Sequence, residues 1–273
     1  MYRSCHGVLV CALAVCSSAV VQAATLQFAL VDLGSTTVAG SGLPWQTEQF
    51  TPAPDFPSTA SSQGSACYGV AVNRIYAEFG SEAVGATCLT TPNLHAARWT
   101  SINTSPTLTD LGVLAGANGG GGTGGPTSIA LAFNNVGDVV GWSDSPNFAV
   151  NSAQEAQHAF LYSNGVMKDL GVIAGPNYYS AAESVNDSHE IVGFTNTISS
   201  VDGSVLSRAF LYSNGTMYNL TFYLVGGPTA LLTDALWIDC QGNIAAVGTP
   251  ASGGTTHSYL LVRQGPARTN CPN

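Results

Sequence analysis

The residue types that could do chemistry are sparse in this chain, and several of them recur at one position. His95, His158 and His257 head related segments, and Arg208 stands at the fourth copy. Four such side chains brought to one axis would bind an anion or a metal. A residue that recurs once per repeat more often has a packing or hydrogen-bonding role inside its own unit, and that is the preferred reading here. The turns Asn186-Asp187-Ser188-His189-Glu190 and Asn134-Asn135-Val136-Gly137-Asp138 are rich in oxygen, but neither has the DxDxDG spacing of a calcium loop. The run 119–125 is Gly-rich, holds no Lys and opens no predicted helix, so it reads as a flexible loop rather than a phosphate cradle. No GxSxG and no HExxH motif is present. Glu48, Asp144 and Asp202 could still be assembled from distant loops, as propeller enzymes do. No catalytic set, metal or cofactor is assigned.

Cysteine is the other reactive type. Cys5, Cys11 and Cys16 fall in an N-terminal segment that reads as an export signal, which leaves Cys67, Cys88, Cys240 and Cys271. None of these four has CxxC spacing. In an oxidising compartment four cysteines allow three pairings. Cys67 and Cys88 bracket a predicted hairpin, and a Cys240–Cys271 bridge would pin the C-terminal tail.

These residues must be positioned by a repeat of about 50 residues. The segment 158–165, His-Ala-Phe-Leu-Tyr-Ser-Asn-Gly, returns at 208–215 as Arg-Ala-Phe-Leu-Tyr-Ser-Asn-Gly, with weaker copies from His95 and His257. Asp-Leu-Gly occurs at Asp32, Asp110 and Asp169, with Asn219-Leu220-Thr221 as its decayed form. A polar turn leading to Val-Gly forms the third signature, ending at Gly141, Gly193 and Gly248, with an earlier copy at Gly85. His158, Phe160 and Tyr162 alternate with Ala159 and Leu161, the period of a strand. Asn164-Gly165 suits a two-residue hairpin turn, and strands are predicted over 166–170, 181–185 and 190–195. Four short antiparallel strands per unit make a propeller blade. The predicted fold is all-β and β-propeller-like, with about four four-stranded blades in one domain over 24–273, the strongest units being 158–207 and 208–256. The segment 28–33 reads as a second strand and 257–263 as a first strand, so pairing the two chain ends would complete a split blade.

His158-Ala159-Phe160, the Asp-Leu-Gly segments and the Val-Gly hairpins resemble the bacterial extracellular HAF-repeat family across nearly all of the chain after the signal. The likeness is weaker at the ends, where Ser258-Tyr259 replaces Ala-Phe. It implies a secreted or surface protein with a propeller-like fold and no established activity. Members often end in an apolar sorting segment with a basic tail; 266–273 has none, which favours release.

Composition suits many short strands and tight turns. Charged residues are only 8%, Gly numbers 31, and the formal net charge is −9 without a Lys/Arg cluster. That balance argues against nucleic acid and anionic membranes as partners. Arg3 and His6, an apolar run to Val21 and small residues at Val21-Gln22-Ala23 predict a signal peptide over 1–23, with cleavage before Ala24. No later stretch has spanning length, so a secreted, extracellular or periplasmic protein is expected. Alternation along a meander sends the long connections (35–66, 117–127, 143–157, 196–207) to one end of the strands, the end that usually binds. The leading expectation is a non-catalytic module presenting that face to a glycan, matrix polymer or protein. Trp45, Phe148, Tyr178 and Tyr179 are the candidate contacts. A propeller-type polysaccharide hydrolase or lyase and a structural envelope component are the alternatives.

Overall fold

The structure, a computed structural model, describes residues 26–35, 73–87, 93–119, 125–149, 155–198, 201–266 and 268. Among these residues sixteen strands form four four-stranded antiparallel sheets, and there is no α-helix. The first blade holds β2 (Asn73–Phe79), β3 (Glu82–Thr87), β4 (His95–Thr100) and β5 (Thr107–Gly112). The second holds β6 (Ser128–Phe133), β7 (Val139–Phe148), β8 (Glu155–Ser163) and β9 (Val166–Gly171). The third holds β10 (Ser180–Val185), β11 (Ile191–Ile198), β12 (Val205–Ser213) and β13 (Thr216–Asn219). In the fourth, β14 (Ala230–Ile238), β15 (Ile244–Pro250) and β16 (His257–Arg263) are completed by β1 (Phe28–Ser35). The first and last described strands therefore share one sheet, with Phe28 opposite Arg263 and Asp32 opposite Tyr259.

The sheets run two strands out of step with the sequence unit. The unit that starts at His158 supplies the last two strands of one blade and the first two of the next. Each unit thus straddles a seam, and consecutive blades are joined by the repeat itself. The β8–β9 and β12–β13 hairpins turn on Asn164-Gly165 and Asn214-Gly215, all four at positive φ (51°, 82°, 50° and 82°). This is the backbone that a tight hairpin demands and that Asn-Gly tolerates.

The Val-Gly signature has a steric cause. The first strand of each blade carries an irregularity in its register: near Ala130 in β6, near Ala182 in β10 and near Leu232 in β14. There the carbonyls of Ile129, Ala181 and Leu231 press onto Gly141, Gly193 and Gly248, and a Cβ on any of these glycines would collide with them. Only glycine permits that approach.

Three apolar cores lie between blades. Val84, Leu111, Val139 and Phe160 join the first and second; Val140, Leu170, Ile191 and Phe210 join the second and third. Phe28, Leu211, Leu232 and Leu261 join the third and fourth. Among the described residues no core bridges the fourth blade and the first; the first keeps a separate cluster around Trp99. The sheets are consistent with propeller-like blades, and β1 completes the fourth by pairing with β16, but among the described residues no closed ring is formed. No helix of the described residues is long and apolar enough to cross a membrane.

Candidate functional site

The recurrent histidines do not meet on an axis. Each pairs with the aspartate of an Asp-Leu-Gly segment in its own sheet: His95 Nδ1 lies 3.2 Å from Asp110, His158 Nδ1 2.8 Å from Asp169, and His257 Nδ1 2.8 Å from Asp32. The aspartate also accepts from the glycine two residues on, as in Gly112 N–H to Asp110 (2.8 Å) and Gly171 N–H to Asp169 (2.7 Å). The same glycine receives a hydroxyl from the next blade. Ser128 donates to the Gly112 carbonyl and Ser180 to the Gly171 carbonyl, while those hydroxyls accept from the N–H groups of Ala96 and Ala159. Histidine, aspartate, glycine turn and serine therefore form a latch across the seam. Recurrence here reflects structure, because buried polar groups need partners.

The oxygen-rich turns have a similar role at the opposite end. Asn134 Nδ2 donates to the Asn186 carbonyl and Asn186 Nδ2 to the Asp239 carbonyl, both at 3.0 Å, so each turn holds the next. Asp138 accepts from Asn134 and lies 2.5 Å from His189 of the next blade. Burial works to raise the Asp138 carboxyl, but its hydrogen bonds, from Ser163, Asn134 and His189, outweigh burial and hold it below the usual range. Burial likewise opposes ionisation of Glu190, and hydrogen bonds from Arg268, Asn186 and Arg263 reverse that effect. No group of three or more metal-ligating side chains occurs among the described residues.

A groove of about 410 Å3 opens at the second–third seam, at the end where the long connections gather. Its walls carry Trp142 from β7, Phe194 from β11 and Tyr179 from the loop before β10, with the amides of Gln157 and Asn196. Tyr179 is 38% exposed. Asn196 fixes it from both sides: its side-chain oxygen accepts from the Tyr179 N–H, and its own N–H donates to the Tyr179 carbonyl, each at 2.9 Å. Glu183 supplies a carboxyl to the groove, and burial raises it above the ordinary value. On β14 of the next blade, burial and then the charge of Glu183 push Asp234 up to about 7, against the Ala235 N–H that lowers it. The Asp234 Oδ1 is buried without a hydrogen-bond partner.

Of the four predicted contacts, the structure places Tyr179 in the groove. Tyr178 is half-buried beside it, its N–H donating to the Gly175 carbonyl at 3.2 Å. Phe148 ends β7, with its side chain outside the described residues, and Trp45 and Glu48 also lie outside them. Asp144 is occupied: it accepts from the Thr127 N–H and hydroxyl, yet burial leaves its carboxyl raised. Asp202 accepts from Ser204 in a local turn. Of the four cysteines Cys240 alone falls within the described residues; Cys67, Cys88 and Cys271 lie outside them, so no complete pair falls within them. Sequence reasoning missed Trp142, Phe194, Gln157, Asn196, Glu183 and Asp234. One signal was present: both Val-Gly pairs at this seam continue with an aromatic and a hydroxyl residue, Gly141-Trp142-Ser143 and Gly193-Phe194-Thr195.

No family model, no curated protein and no solved structure matches this chain.

Proposed function

We propose that this protein is an exported glycan-binding module, and that the second–third seam groove is its saccharide site. The observation that carries this reading is the groove's composition: three aromatic side chains, two amides and one carboxyl on a rigid strand framework. Aromatic faces stack on sugar rings, and amides satisfy hydroxyls. The signal-like N-terminus, the candidate disulfides of Cys67, Cys88, Cys240 and Cys271, and the resemblance to HAF-repeat proteins support export. The test is a thermal-shift screen of the purified protein against neutral polysaccharides and their oligosaccharides. A saturable rise with one class, lost in Tyr179→Ala, is the expected result. A rise unaffected by Tyr179→Ala and by Gln157→Ala would remove the groove from consideration.

A second reading, a polysaccharide hydrolase or lyase, is favoured by one observation: Glu183 and Asp234 are both raised, each on the inner strand of adjacent blades. Carboxyls whose environments hold one of them protonated near neutral pH are suited to general acid catalysis. Release of reducing ends from a bound polymer, lost in Glu183→Gln, would establish it.

A further inference from the structure

Arg208 occupies the position that holds a histidine in the other three units, and its surroundings differ from theirs. Its former partner is neutral: Asn219 stands where Asp32, Asp110 and Asp169 stand elsewhere. Asn219 keeps half of the aspartate's role, since its side-chain oxygen accepts from the Thr221 N–H at 3.2 Å. The charged half is gone. Among the described residues the guanidinium donates only to the neighbouring Ser207 carbonyl, at 2.7 Å, and forms no ion pair. Every other cation with a described side chain is engaged. Arg98 meets Glu82, Arg263 and Arg268 meet Glu190, and Lys168 donates to the Tyr212 hydroxyl while lying over its ring.

Around Arg208 the latch is replaced by a cavity of about 710 Å3 lined by Ile198, Leu206, Met217, Phe222 and Tyr223. Phe222 is 71% exposed, and Ile198 is 48% exposed. Burial lowers the readiness of Arg208 to hold its proton, which marks a partly desolvated cation. The loop 172–179 and strand β11 border both this cavity and the first groove: Ile173, Ala174 and Thr197 line the one, Tyr179 and Asn196 the other.

We infer that this cavity is a second subsite, which takes the carboxylate of a sugar acid on Arg208 and its apolar ring face or aglycone against Phe222 and Tyr223. The ligand carboxylate would replace the aspartate that the third blade lost. A guanidinium grips a planar carboxylate through paired donors, and aromatic faces take the remainder of the ring. The net charge of −9 repels polyanions. The fitting ligand is therefore an isolated acid residue in an otherwise neutral saccharide, not a polyuronate. The inference rests on the proposed function for the saccharide nature of the ligand, while the carboxylate requirement rests on Arg208.

The test uses a matched pair of probes, 4-nitrophenyl β-glucuronide and 4-nitrophenyl β-glucoside, titrated calorimetrically into the full chain. They differ by a carboxylate in place of a hydroxymethyl group. The glucuronide is expected to bind about tenfold more tightly, as a charge-assisted pair allows, and Arg208→Gln is expected to erase that difference without lowering the melting temperature. Equal affinities in the unaltered protein, or a preference that survives Arg208→Gln, overturn the inference. Binding of neutral saccharides that depends on Tyr179, with no glucuronide preference, overturns it and leaves the proposed function standing. A glucuronide preference that depends on Arg208, with no neutral saccharide bound, supports it and removes the first groove. No binding of either probe overturns it as well.

Discussion

The second and third blades place the same strand in the same frame and use it in opposite ways. In the second, His158 is 1% exposed and held between Asp169 and the Pro176 carbonyl, 2.8 and 2.9 Å away. In the third, Arg208 and Asn219 leave those contacts unmade, and an aromatic-lined cavity takes the place of the latch. The seams differ in step. Ser180 ties the second blade to the third, whereas the corresponding Ala230 has no hydroxyl, and Thr221 accepts from the Leu232 N–H instead. A repeat array can release one unit from a structural role because its neighbours carry their own seams. The difference therefore separates what the scaffold requires from what a site can borrow.

The comparison breaks at once if the two blades do not share a backbone frame. Gly141 and Gly193 test that, since a Cβ at either would collide with the carbonyl of Ile129 or Ala181. Gly141→Ala and Gly193→Ala are each expected to destabilise by about 3 kcal/mol or more, the range of strongly overpacked sites. Chemical denaturation should show similar losses for both. A mild effect at one of them would mean that its blade tolerates a shifted register.

The next largest contrast lies at the recurrent position itself. His158→Ala removes a buried side chain and leaves Asp169 and the Pro176 carbonyl without it, so a loss of about 2 kcal/mol is expected. Arg208→Ala should cost no more than about 0.5 kcal/mol, because it breaks one contact to a neighbouring carbonyl. Equal losses would show that Arg208 is structural after all.

How far this contrast could be read from the sequence depends on the range of the contacts. The Asn164-Gly165 turn fixes the β8–β9 register, so the pairing of His158 with Asp169 follows from a local hairpin, and the split sheet of β1 and β16 follows from the incomplete terminal units. The blade frame does not follow. Every junction in the meander is antiparallel, and periodicity cannot say whether β9 to β10 stays within a sheet or crosses a seam. The groove was hidden for the same reason. Trp142 and Gln157 of one blade meet Tyr179 of the next only when the two pack, whereas attention to long loops favoured Trp45 and Phe148. Tyr179 was found because it is both on a loop and at the seam.

The two blades also differ at the irregular position of the inner strand, where β6 carries Leu131 and β10 carries Glu183. With Asp234 on β14, this adds a pH dependence to that of Asp144, the raised carboxyl of the second blade. Asp234 is raised from 3.8 to about 7 in the folded chain. Between those values the folded protein holds a proton that the unfolded chain has released, so stability falls as pH rises from about 4 to about 7 and levels off above. The raised Glu183 acts in the same direction. Asp234→Asn is expected to remove most of that slope and to stabilise the protein at pH 8 by on the order of 2 kcal/mol. Denaturation midpoints at pH 5 and pH 8 measure it; an unchanged slope would place the carboxyl in water.

The smallest expected effect gives the sharpest comparison, because it rebuilds the second blade's latch in the third. Arg208→His with Asn219→Asp restores the histidine–aspartate pair on a hairpin that keeps its Asn214-Gly215 turn and the Tyr212–Met217 register. The restored aspartate can still accept from the Thr221 N–H, so the turn is retained. One added polar pair at a partly exposed edge should contribute about 1 kcal/mol, seen as a rise in melting temperature of a few degrees. Arg208→His alone should not achieve it, because it has no carboxylate to meet, whereas Asn219→Asp alone sets a carboxylate beside Arg208 and should compete with the glucuronide for it. The double variant should also lose any preference for the glucuronide, since its own aspartate would fill the ligand's place. A double variant that is no more stable than the sum of its singles would show that the third blade lost more than two side chains when it gave up the latch, and that its cavity depends on the turn at Leu220–Tyr223 as well.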